Sequence, residues 1–86
     1  MGRLYRLSKK ITKTESDEIL KEMKENEKVV RIEFTQDGTC LLIEASEENY
    51  PDILGKAVNI CSRVANGLEI SFAGFDVNGK DLNKVV

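Results

Sequence analysis

These 86 residues predict an α+β domain of six elements, in the order strand, helix, strand, strand, helix, strand. Three observations carry that expectation. Apolar residues alternate with a period of two in four short stretches, and they repeat with a helical period in two longer ones. Turn and cap residues stand between the stretches where the period changes. The longest apolar runs are only three or four residues, so no stretch reads as a membrane span or a signal-peptide core.

The first strand is the alternating Leu4-Tyr5-Arg6-Leu7, which enters a basic loop, Ser8 to Ile11. Thr12 and Glu15 then have the spacing of a capping box, in which a hydroxyl and a glutamate three residues on satisfy each other's backbone N–H groups. Ile19, Leu20 and Met23 follow on one helical face, so a helix is expected from about Lys13 to about Asn26. Val29 to Thr35 is β-branched and alternating, Gln36-Asp37-Gly38 supplies a turn, and Cys40 to Ala45 returns as a hairpin partner. Pro51 and Asp52 suit a helix's first turn, and Ile53, Ala57, Ile60 and Val64 make the stripe of a second helix, about Tyr50 to Ala65. Asn66-Gly67 ends it, and Leu68, Ile70 and Phe72 mark a last strand. This order is the ferredoxin-like βαββαβ plan: a four-stranded antiparallel sheet with two helices on one face and the other face open. The expected domain is residues 1–73, with 74–86 as a C-terminal tail or linker.

A chain of this length has room for one core. Its 41% hydrophobic and 33% charged residues are those of an ordinary globular domain. The net charge of −2 and the mixing of signs argue against a phosphate-backbone partner, so nucleic acid is not expected. The one local bias is Arg3, Arg6, Lys9, Lys10 and Lys13, which all precede the first acidic residue. No segment is apolar enough over sufficient length to insert into a membrane, and a cytoplasmic protein with reduced thiols at Cys40 and Cys61 is expected.

Catalytic constellations are hard to write. With no histidine, neither a serine nor a cysteine has the usual base beside it. Glu15, Asp17 and Glu18, like Glu47 and Glu48, sit at helix starts, where carboxylates stabilise the helix dipole. No glycine-rich loop opens a strand-to-helix turn for phosphate. The open face should carry Leu4, Arg6, Arg31, Glu33, Cys40, Leu42, Glu44, Glu69 and Ser71, without an aromatic on which a base could stack. Tyr5, Phe34 and Phe72 are expected in the core. The chain therefore reads as a non-enzyme without a cofactor.

The phrase Leu41 to Tyr50, followed by Asp52-Ile53-Leu54 and Leu68-Glu69-Ile70, resembles the second half of heavy-metal-associated domains, especially those at the N-terminus of bacterial P-type metal ATPases. Upstream, Tyr5-Arg6-Leu7, Ile19, Met23, Val29, Ile32 and Phe34 are similar to that family's first strand, first helix and second strand. The resemblance implies a Cys-x-x-Cys metal loop between the first strand and first helix. Thr12 and Glu15 stand at the two cysteine positions, and Lys9 and Lys10 where a glycine and a hydrophobic residue usually precede them.

The resemblance thus implies a degenerate heavy-metal-associated domain with a vestigial metal loop and no metal ligands. It would be an accessory protein or N-terminal module related to metal-cation transport, acting by protein contact on a P-type metal ATPase or another protein. Lys9, Lys10, Lys13 and Glu15 are the expected contact residues, and an exposed Cys40 and Leu42 pair is a second candidate. A monomer or weak dimer is expected. The alternative is a ferredoxin-like regulatory or sensor domain that dimerises around a small-molecule effector.

Overall fold

A computed structural model describes residues 2–76. The elements are β1 (Gly2–Leu7), α1 (Lys13–Lys24), β2 (Arg31–Phe34), β3 (Cys40–Glu44), a short 3-10 turn (Glu47–Asn49), α2 (Tyr50–Val64) and β4 (Ile70–Asp76). The strands form one antiparallel sheet in the order β2-β3-β1-β4. This is an α+β fold with four antiparallel strands and two helices, an arrangement compatible with the ferredoxin-like plan.

Strand alternation sorts the side chains onto two faces. Tyr5 is paired with Leu41, and Ile32 with Ile43, so one face presents a continuous apolar surface. Ile19 and Met23 of α1 and Ile53, Ala57 and Cys61 of α2 pack there in a single core. Its edge is closed by Tyr50, whose buried hydroxyl accepts from Ala45 N–H at 3.1 Å and donates to the Ile43 carbonyl at 3.4 Å. That pairing lets a polar tip lie inside the core. The helices are tied across their outer surface by Arg63 and Glu22.

The second face differs from expectation. Leu4, Cys40 and Leu42 do share it with Arg6, Arg31 and Glu33, as the register requires. Yet Cys40 is only 3% and Leu42 0% exposed, in a small cluster with Leu4 and the flanking Ala73. The expected exposed Cys40 and Leu42 pair is therefore corrected to a buried one. Part of the reason is Gly2: a Cβ there would lie 2.7 Å from Leu42 Cδ1, so Leu42 occupies space that only glycine leaves free. Cys40 and Cys61 are both free, and they belong to clusters on opposite faces of the sheet.

The last strand also departs from expectation. It runs through Asp76, three residues past the expected domain end at 73. A bulge makes this possible: the β1–β4 register shifts between Leu4 and Tyr5, and Gly74 takes a φ of 155°. The remainder of the expected tail, 77–86, lies outside the described residues. Phe72 faces the helix side, opposite Tyr5, but it is not a core residue; on an edge strand it stays half-exposed.

Gly55 lies mid-way along α2 on an exposed surface, and a methyl group there would meet nothing within 4 Å. Glycine in a helix interior costs about 1 kcal/mol relative to alanine. Gly55→Ala is therefore expected to stabilise the domain by about that amount, read as a higher midpoint in thermal denaturation.

Candidate functional site

Three connections meet at one end of the sheet: Ser8 to Thr12 between β1 and α1, the β2–β3 hairpin, and Ala65 to Glu69 between α2 and β4. Backbone bonds hold them together. Leu7 N–H donates to the Thr39 carbonyl and Ser8 N–H to the Glu69 carbonyl, both at 2.9 Å. Ser8 Oγ accepts from Glu69 N–H, also at 2.9 Å. Lys9 Nζ donates to the Asn66 carbonyl at 2.8 Å, which spends one of the candidate contact cations on joining two loops.

The two positions of the expected vestigial metal loop are bonded to each other. Thr12 is extended, with φ −80° and ψ 164°, and serves as the N-cap of α1. Its Oγ1 accepts from Glu15 N–H at 3.1 Å, while Glu15 Oε1 accepts from Thr12 N–H at 2.9 Å. The capping box expected from the spacing is thus formed. Both side chains satisfy backbone donors that a helix start otherwise leaves unpaired.

Around this loop the exposed cations divide by partner. Lys13 pairs with Asp17 one helical turn on, at 3.1 Å. Lys10 and Arg6 have no hydrogen-bond or ion-pair partner among the described residues. Asp37 faces them from the hairpin. Its Oδ1 accepts from Thr35 Oγ1 at 2.7 Å, from Thr39 Oγ1 at 2.9 Å and from Thr39 N–H at 3.1 Å. These bonds, the Thr35 hydroxyl foremost, hold its carboxyl below the usual range.

Two adjoining clefts open here. One of about 350 Å3 lies between the capping residues and the hairpin, and one of about 300 Å3 lies between Arg6, Lys9 and Thr39; both reach Lys10, Asp37 and Gly38. A third, about 490 Å3, runs along α2 past Asp52, Lys56 and Arg63, away from this end. Among the described residues, no three Cys, Asp or Glu side chains are grouped to hold a metal ion. Cys61 is a poor thiolate source in any case, since burial pushes its thiol up to about 11.

The structure therefore brings Lys9, Lys10, Lys13, Thr12 and Glu15 to one end, and leaves Cys40 and Leu42 buried. It adds Asp37 and Arg6, which the sequence marked only as a turn residue and an open-face cation. No protein-family model, curated protein or solved structure matches the chain.

Removing the cap should be measurable. Thr12→Ala is expected to destabilise the domain by about 1 kcal/mol, with α1 amides near the first turn losing hydrogen-exchange protection. Asp37→Asn should lower the melting temperature at neutral pH. Because the folded carboxyl is held below its unfolded value, its contribution is present above that value and is lost as pH falls through the folded one. The difference between the two proteins should accordingly vanish in acid, as followed by melting temperature against pH.

Proposed function

We propose that this chain is a ferredoxin-like domain of the heavy-metal-associated kind in which the metal loop has become structural. On this reading it is non-enzymatic and cytoplasmic, an accessory or N-terminal module related to metal-cation transport that works by protein contact. The observation that carries the proposal is the Thr12 and Glu15 capping box. At the two positions where the resemblance puts thiolates, an alcohol and a carboxylate are committed to backbone N–H groups, so the donor set does not fit a soft cation. No helix among the described residues is long and apolar enough to cross a membrane.

The contact surface on this reading is the loop end, where Lys10 and Arg6 are free among the described residues and Lys9 and Lys13 lie beside them. A P-type metal ATPase, or another protein bearing an acidic surface, is the partner class. The two clefts that meet at Lys10 and Asp37 favour a second reading, a regulatory domain with a small-molecule effector.

Restoring the thiolates tests the first reading. Thr12→Cys and Glu15→Cys, made with Cys40→Ala and Cys61→Ala, place two thiols three residues apart at the start of α1. There the helix dipole lowers thiol pKa and favours a soft metal. Cadmium or copper(I) should bind stoichiometrically, with thiolate charge-transfer absorbance and a melting temperature that rises with metal concentration. A folded quadruple variant without that absorbance would remove the basis for the family assignment.

A further inference from the structure

Both helices pack on the Tyr5 side of the sheet. The other side of an antiparallel sheet of this plan ordinarily faces water, so apolar side chains there keep a large share of their surface exposed. Leu4 and Leu42 are nevertheless 0% exposed and Cys40 3%. They are covered within a single copy of the chain.

The described residues do not supply that cover. Among them, Ala73 is the only partly buried hydrophobic packed against the cluster, and Gly2 offers space but no side chain. The polar neighbours that the register puts on this face, Arg6, Arg31, Glu33 and Glu44, are exposed or half-buried. Their stems shield the flanks of an apolar residue, whereas two leucines reach zero exposure only beneath a further layer of atoms.

Outside 2–76 the chain has Met1 and the ten residues 77–86, and a single residue is too small to roof three side chains. The segment 77–86 follows Asp76, which is paired with Gly2. Gly2 in turn stands against Leu42, since a Cβ on it would lie 2.7 Å from Leu42 Cδ1. The segment therefore begins beside the cluster. Ten residues reach up to roughly 30 Å, while β4 and β3 are two strand spacings apart, about 10 Å. The segment carries Val77, Leu82, Val85 and Val86, together with Asn78-Gly79, a dipeptide that reverses a chain. A strand laid along the free β4 edge would instead lie about 14 Å from β3 and leave the cluster open.

We propose that residues 77–86 fold back across the second face of the sheet and close it over Leu4, Cys40 and Leu42. The stretch that the sequence marks as a tail or linker is then part of the domain, with or without the metal-domain reading above. Attachment at Asp76 holds the segment at high local concentration over the face, so it competes there with any outside partner and leaves the loop end as the surface for contact.

Two measurements on the reduced full-length chain test this. Methyl nuclear Overhauser effects are expected between Leu4 or Leu42 and Leu82, Val85 or Val86 within one chain. Their absence overturns the proposal, and so does their appearance only between differently labelled chains, which would give the face to a second copy. Maleimide labelling followed by peptide mapping reads the same contact at Cys40, with Cys61, in the core on the opposite face, as the internal control. Leu82→Asp made together with Val85→Asp should speed labelling of Cys40 at least about tenfold and leave Cys61 unchanged. An unchanged Cys40 rate overturns the proposal. If both thiols quicken together the variant has unfolded, and the Overhauser effects of the unsubstituted chain decide alone.

Discussion

The pairing of β1 with β3 is the constraint from which the rest of the molecule follows. Because β1 is central, with β3 on one side and β4 on the other, its alternation dictates both faces at once. Leu4 opposite Leu42 and Tyr5 opposite Leu41 fix which residues meet the helices and which form the smaller cluster behind. A slip of one residue would invert both sets and expose the whole core face. The same register brings Leu7 N–H to the Thr39 carbonyl, so the β1–α1 loop and the hairpin meet at one end as a consequence of strand pairing rather than of any contact between the loops.

Local chemistry made much of this legible in advance. The capping box was readable because its two bonds join residues three apart and need nothing from elsewhere in the chain. The face assignments of Leu4, Arg6, Arg31, Glu33, Cys40 and Leu42 were readable because a two-residue period has only two phases. Burial was not readable in the same way. Leu42 is enclosed partly because Gly2, far away in sequence, lacks a side chain, and Phe72 is exposed because β4 is an edge. The bulge at Ala73 and Gly74 was hidden for a related reason. It adds one residue to a pattern whose period is two, and this makes the end of a strand look like the start of a tail.

The candidate site divides along the same line. Thr12, Glu15, Lys9, Lys10 and Lys13 are contiguous, so a sequence can gather them. Asp37 is separated from them by a helix and a strand, and only folding places it across the cleft from Lys10. Lys9 turns out to bridge to Asn66, a partner that no local pattern announces. Charge on this end is therefore less available than a count of lysines implies. Lys13 is shared with Asp17, and such exposed pairs are worth little in energy but do lower the net field. Lys10 and Arg6 are left without a pairing group among the described residues.

What the capping box does to the loop is more than occupy two positions. A helix start presents backbone N–H groups that stabilise negative charge, and such groups would lower the pKa of a thiol placed among them. When Thr12 Oγ1 and Glu15 Oε1 take those N–H groups, the same donors hold the loop's shape instead. The carboxylate also brings its negative charge to the positive end of α1, so the dipole is compensated without a ligand. A loop arranged in this way holds its shape through bonds within the chain. On the reading proposed above, that internal bonding lets the end act as a fixed surface: Lys10 and Arg6 keep their places whether or not metal is present, and recognition of a partner is uncoupled from metal loading.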